Sequence, residues 1–515
     1  MKKLISLALL SVGLLILVAC TAEDETQQPP ASTATVEAIP TAEPEPTDTP
    51  ASTETPEPVQ TLEPTRVLEP TATPRPTPSP TAKPEPTVGP DATEVPKATE
   101  APEPTAEPEP TATLEPTPTP TPVPVFSFVI GSASVKLAAA DSAQGKKFGT
   151  YVAIDGGTLI AGAPADFSKG TDSGAAVVFT KASGVWTEQA KLVGDDTGVG
   201  DLLGQVVGLS GDTAVLGAPG ETPVGTNSGS AYVFVRSEGV WTQQAKLTAS
   251  DAGPGDQFGR SAAISGDTII IGAPTDTPTG TNSGSAYVFT RTDGVWTEQA
   301  KLTTNKAFTA DNMFGWSVAI DGDTAAVGAL GDFSNGADSG AAYVFTRTDG
   351  VWTEQGKLTA SDAFTADNFG RSVALSGNLL AVGAPGNTDK GADTGAAYVF
   401  ARGDGAWSEQ AKLTASDAAS TDNFGWSVSI SGDTMAAGAF GDAAKGVDAG
   451  SVYVFKQSGT TWTEQANLTA TGAAVNHKLG TSVSLSDNDL AAGAPGDFQK
   501  GTDTGSVHVF AAQVQ

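Results

Sequence analysis

The segment Phe369-Gly370-Arg371-Ser372-Val373-Ala374-Leu375-Ser376-Gly377-Asn378-Leu379-Leu380-Ala381-Val382-Gly383-Ala384-Pro385 holds two short apolar runs parted by Ser-Gly-Asn, between a Phe-Gly pair and a Gly-Ala-Pro triplet. Runs of about five residues bounded by turn formers read as adjacent strands. The same bracket recurs along the chain. Its first half stands at Phe148-Gly149, Leu203-Gly204, Phe258-Gly259, Phe314-Gly315, Phe369-Gly370, Phe424-Gly425 and Leu479-Gly480, at intervals of 55, 55, 56, 55, 55 and 55 residues. Its second half follows thirteen residues after each glycine, at Gly162, Gly217, Gly272, Gly328, Gly383, Gly438 and Gly493, each followed by alanine. A fixed period of this length marks a repeat architecture.

Each unit reads as four strands. In the fifth they are Arg371 to Leu375, Leu379 to Gly383, Ala397 to Phe400 and Ala406 to Leu413, with breaks at Ser376-Gly377-Asn378 and Gly403-Asp404-Gly405. Four short strands repeated seven times, without helical periodicity, predict an all-β fold, a seven-bladed β-propeller of four-stranded blades. The extra residue of the 56-residue interval falls in a loop near Met313. The fourth-strand text Val-Trp-Thr-Glu-Gln-Ala-Lys-Leu occurs six times with minor changes, carrying Trp186, Trp241, Trp296, Trp352, Trp407 and Trp462, and is missing after the seventh Gly-Ala-Pro. Its Lys-Leu half stands instead at Lys136-Leu137. Residues 126 to 137 are therefore expected to pair with the strand around Val507-His508-Val509, closing the ring and leaving no large free edge. The six tryptophans read as core, and alternating Thr, Gln and Lys on that strand read as a polar outer edge.

Phe-Gly followed by Gly-Ala-Pro resembles the FG-GAP repeat, which builds the head of integrin α chains and occurs in many secreted bacterial proteins. The resemblance covers residues 134 to 515. It implies recognition, usually of proteins or glycans; the chain is not expected to be an enzyme. The family's calcium loop, an Asp-rich stretch between first and second strands, is absent: short turns such as Asp321-Gly322-Asp323 and Ser431-Gly432-Asp433 take its place. No cofactor and no metal ligand are expected, and calcium keeps a place only as something to test.

The remaining chain is different text. Lys2 and Lys3 precede an uncharged run from Leu4 to Ala19, the pattern of a secretory leader. It ends in Leu17-Val18-Ala19-Cys20, which resembles the bacterial lipobox and implies lipidation of Cys20, the chain's one cysteine. Residues 1–20 are then a lipoprotein signal. Residues 21–125 hold 27 of the 35 prolines and 24 threonines with no aromatic residue, so they cannot bury enough apolar surface to fold and read as a disordered tether. Residues 126–515 form the propeller. The expected location is extracytoplasmic, lipid-anchored at a membrane and surface-exposed, with the protein a monomer.

Charge and residue counts narrow the function. Of the net −31, the tether carries −15 and residues 126–515 carry −18, which excludes nucleic acid as a partner because phosphate binding rests on clustered Lys and Arg. Two histidines, His477 and His508, and one cysteine leave no recognisable catalytic pairing, and no catalytic residue is assigned. What remains is a binding or adhesion module for an extracellular protein or glycan, with a structural component of the cell envelope as the alternative and an enzyme of unknown class as the third reading.

Two sets of residues fall on one face of such a propeller. The loop between second and third strands carries a polar pair six apart in every unit: Asp166/Asp172, Glu221/Asn227, Asp276/Asn282, Asp332/Asp338, Asn387/Asp393, Asp442/Asp448 and Asp497/Asp503. The connection between blades adds Asp201, Asp256, Asp311, Asp367 and Asp422, with His477 in the seventh place. These acids read either as a cation-binding or basic-partner surface or as caps of tight turns. The residue after each Phe-Gly varies where its neighbours do not: Thr150, Gln205, Arg260, Trp316, Arg371, Trp426 and Thr481. Arg260, Trp316, Arg371 and Trp426, from consecutive blades, are the candidate binding residues, since Trp and Arg give large contact energies; packing between blades is the other reading.

Overall fold

A computed structural model describes residues 128–304, 311–486, 489–498 and 500–514; the leader, Cys20 and the tether lie outside them. Seven sheets of four antiparallel strands follow one another along the chain, and the innermost strand of each packs against that of the next until the seventh meets the first. In blade five the strands are Ser372–Ser376, Leu379–Ala384, Ala396–Gly403 and Ala406–Leu413. The third strand outruns its expected end at Phe400 because Arg402 and Gly403 continue the ladder, opposite Trp407 and Ala406, to a two-residue turn. The second strands show why their text lacks alternation. Thr268–Ala273 is buried at every position, since neighbouring blades cover both faces.

The ring closes as the repeat arithmetic requires. The strand Phe128–Leu137 pairs antiparallel with Ser506–Val514, with Leu137 opposite Val507, Lys136 opposite His508 and Val135 opposite Val509. It is the outer strand of blade seven.

Among the described residues the core forms seven clusters, each shared by adjacent blades. Phe369, for example, packs edge-on against Tyr398 and Phe400 of its own blade and shares its cluster with Val344 of blade four. The glycines of the repeat meet at the same seams. A Cβ on Gly383 would stand 1.9 Å from the carbonyl oxygen of Gly425 in the next blade, and one on Gly493 1.9 Å from that of Gly149, across the closure. The spacing of thirteen residues thus places the Gly-Ala glycine of one blade under the Phe-Gly glycine of the next, closer than any side chain allows.

The outer strands are stitched together more than the sequence suggests. The Trp296 indole donates to Gln244 of the preceding blade at 2.8 Å, and Arg291 lies over the Trp296 ring while pairing with Asp267. Trp241, Trp352 and Trp462 make the same bond to Gln189, Gln299 and Gln410. The Gln side chains expected to keep an edge polar are instead spent on inter-blade bonds. Gln355 and Gln465 depart from this by turning to Thr353 and Thr463, and the Trp407 indole N–H is left without an acceptor.

Of the two histidines, His508 lies directly opposite Lys136 of the closing strand. His508 is fully buried, with Nδ1 3.0 Å from the Ser134 hydroxyl and Nε2 3.3 Å from that of Ser506. Burial, with the Lys136 charge adding, pulls His508 down to about 4. The fold therefore favours the neutral ring, so this contribution is complete above pH 6.5 and is lost as pH falls toward 4, by roughly 3 kcal/mol. Urea unfolding at pH 7 and pH 4 should show a larger loss for the wild type than for His508→Asn. Equal losses would mean that the imidazole is not the responsive group.

Candidate functional site

The acidic loops fold inward rather than outward. The first member of each pair is buried and most are met by the lysine of the fourth strand: Lys191 and Asp166 at 2.7 Å, Lys246 and Glu221 at 2.8 Å, Lys301 and Asp276 at 2.6 Å, Lys357 and Asp332 at 2.6 Å. In blade seven, Lys136 of the closing strand takes that part with Asp497. Tyr287, Tyr343 and Tyr453 hydroxyls donate to Asp276, Asp332 and Asp442. Burial alone would raise Asp166, but hydrogen bonds from Lys191, Ser168 and Lys146 outweigh it and bring the carboxyl to about 2. The second member of each pair adopts a left-handed turn, with φ of 54° at Asp172 and 52° at Asp338, a conformation that Asn and Asp tolerate. Among the described residues no three Asp, Glu, His or Cys side chains converge on a metal-sized space.

The connection between blades behaves likewise. Asp201, Asp256, Asp367 and Asp422 are buried, and each accepts a backbone N–H three residues before it, at 2.6 to 2.8 Å. Burial raises all four carboxyls above their usual range. Asp311 does not belong with them. The longer connection of blade four shifts the register by one, so Asn312 is the buried residue and donates to Asp332 at 3.0 Å, while Asp311 is exposed. These acids cap turns and anchor lysines.

The residues after Phe-Gly form a different site. They stand half-buried at the start of the innermost strands: Trp316, Arg371, Trp426 and Thr481 line an axial cavity of about 170 Å³, Thr150 lines a groove beside it, and Gln205 and Arg260 line a neighbouring hollow. Four stack into one ladder. The Arg260 guanidinium lies 4.3 Å from the centre of the Trp316 ring, Arg371 lies 5.4 Å from that ring, and Arg371 lies 3.9 Å from the Trp426 ring. Cation–π stacking of this kind is worth roughly 0.5–2 kcal/mol per pair. Thr150 and Thr481 instead donate to the carbonyls of Lys147 and Lys478 and close the local turns.

Tyr151 completes the ladder, and the sequence reading missed it. The Arg260 guanidinium donates to its hydroxyl at 3.2 Å. Burial would raise the Tyr151 hydroxyl, but the charges of Arg260 and Arg371 overcome that and lower it. Burial, with the like charge of Arg260, lowers Arg371. A signal was present: the position two after Phe-Gly is Val206, Ser261, Ser317, Ser372, Ser427 or Ser482 in the other units, and tyrosine only here. No described carboxylate pairs with Arg260 or Arg371, whereas Arg236, Arg291 and Arg347 each hold an aspartate at 2.6 Å.

A larger groove of about 750 Å³ adjoins the mouth and shares Trp426 with it. Phe440, Phe498, Lys147 and Lys478 line it further. Phe440 meets Trp426 edge-on at 4.5 Å, and Phe498, 46% exposed, meets His477 edge-on at 4.7 Å.

The family model described as FG-GAP repeat matches seven times, over residues 132–179, 186–234, 241–289, 296–345, 352–400, 407–455 and 462–510. No curated protein sequence matches. Among solved structures that resemble the chain is that of a candidate 6-phosphogluconolactonase from Bacteroides uniformis, 13% identical, with a TM-score of 0.43 over 62% of this chain and 85% of that one. At that similarity nothing about activity passes from one protein to the other.

Proposed function

The chain belongs to the FG-GAP repeat family, and from that premise we propose that it is a monomeric binding module held outside the cytoplasm. In this reading a lipid on Cys20 anchors it, the Pro/Thr-rich tether gives it reach, and the face around the axial mouth recognises an extracellular protein or glycan. No catalytic group is assigned to it.

One observation carries the reading. Arg260, Trp316, Arg371 and Trp426 come from four consecutive blades, sit half-buried at one mouth, and stack on each other rather than into the seams, which Phe, Tyr and glycine already fill. Trp and Arg held rigid in this way suit a recognition centre, where a few residues carry most of the binding energy.

The test is a screen of extracellular proteins and glycans against the purified chain, with and without calcium, in wild type and in Trp316→Ala with Trp426→Ala. The double variant should lose binding by roughly a hundredfold, at about 1–2 kcal/mol per side chain, while its melting temperature stays within a few degrees. Loss of stability with retained binding would assign the two rings to packing. Absence of any ligand would favour a structural part in the envelope.

A further inference from the structure

We propose that the axial mouth and the adjoining groove form one site for an acidic polysaccharide, its carboxylate held between Arg260 and Arg371 and its sugar rings laid along Trp426, Phe440 and Phe498. This rests on the reading of that face as a binding surface and names the class of ligand.

The charge pattern points there first. Residues 126–515 carry −18, and most of their cations are matched to carboxylates, yet two guanidiniums at the centre of the face have none. Their neighbours are ring faces and the Tyr151 hydroxyl. Like charges held together and partly out of water are costly unless an opposite charge joins them. The Trp316 indole N–H, on the same cavity, also lacks an acceptor. The mouth is thus rich in donors and short of acceptors, the complement of an oxyanion, and the planar fork of arginine matches a carboxylate in two places.

The groove supplies the rest. Lys147 and Lys478 line it beside one carboxylate, Asp503, so its described lining carries a net positive charge, and no described carboxylate pairs with either lysine. A chain of uronic acids repeats its carboxylates, so one can meet the arginines while others meet the lysines. Between them the apolar C–H faces of the sugar rings suit aromatic side chains, whose ring faces are negative. Phe440 stands where five of the seven units have the proline of Gly-Ala-Pro, so the aromatic surface is particular to this part of the ring. An acidic peptide is the competing ligand, since clustered arginines also take acidic side chains; the aromatic lining of the groove favours sugar rings over it.

Binding of the full chain to polygalacturonate, dextran and poly-L-glutamate separates the possibilities. Wild type should bind polygalacturonate, more weakly as salt rises, and should not retain dextran. Arg260→Gln with Arg371→Gln should weaken polygalacturonate binding by about thirtyfold or more. Lys478→Ala, at a half-exposed position, should weaken it by about fivefold even if the arginine variant folds poorly. The proposal is overturned if wild type does not bind polygalacturonate, if neither variant changes its binding, or if poly-L-glutamate binds as tightly with the same dependence on Arg371. A protein or neutral glycan that binds through Trp316 and Trp426 while polygalacturonate does not would leave the binding-module reading intact and remove only the acidic ligand.

Discussion

Gly383→Ala is expected to destabilise the propeller by about 4 kcal/mol or more, one of the largest effects of any single methyl group in the molecule. The added Cβ would stand 1.9 Å from the Gly425 carbonyl oxygen and 2.4 Å from the Ser372 hydroxyl. Ordinary contact begins near 3.4 Å, so blades five and six would have to part by about 1.5 Å at the seam. That seam also holds the bond from the Ser372 hydroxyl to the Gly425 carbonyl, at 3.1 Å. Because the ring is closed, opening one seam strains the other six. Gly356→Ala is the matched comparison: nothing lies within 4 Å of its Cβ, and alanine occupies the equivalent place at Ala190, Ala245, Ala300, Ala411 and Ala466. It should be neutral or stabilising by up to about 1 kcal/mol. Urea unfolding of both variants checks the pair. Equal stabilities would show that the seam tolerates a side chain and that the glycine has another cause.

Removal of residues 126–140 should have the second large effect, lowering the melting temperature and driving association. The strand Phe128–Leu137 covers the edge of Ser506–Val514, contributes buried Leu137 to the cluster between blades seven and one, and supplies Lys136 to buried Asp497. A buried carboxylate left without its cation costs about 3–5 kcal/mol, and the lost ladder and apolar contact add to that. The uncovered strand would then offer unpaired N–H and C=O groups to a second molecule. Scanning calorimetry and light scattering should show a melt lower by roughly 5–10 °C and concentration-dependent oligomers. A monomeric melt at the wild-type temperature would mean that the ring does not depend on its closing strand.

The parts of this fold that repeat were readable, and the parts that do not repeat were mostly hidden. Phe-Gly and Gly-Ala-Pro announced themselves by period, and the missing seventh copy of the tryptophan strand located the closure at Lys136-Leu137. The polar pairs such as Asp338 were legible as turn caps, because the left-handed conformation asks for Asp or Asn. The fourth-strand lysines were not legible as their partners: Lys357 meets Asp332 only when that loop folds back over the outer strand. Counting misplaced Asp311, since one added residue before Phe314 moves Asn312 into the buried position. Arg260, Trp316, Arg371 and Trp426 could be picked out as the varied position in a constant frame. Tyr151, 109 residues before Arg260, could not be joined to them without knowing that side chains of blades one and three meet near the axis.

The sequence by itself therefore determined the number of blades, their strands and the point where the ring closes, because these depend on local strand patterns and on spacing that any one unit already contains. Tertiary structure alone decided which charges are free. A chain of strongly negative composition, read as text, promises an acidic face. Folded, it buries most of the face's repeated acids against lysines and backbone N–H groups and leaves two arginines without a counter-ion at its centre. Pairing of charges depends on distance in space, and the ring sets those distances only once it is closed.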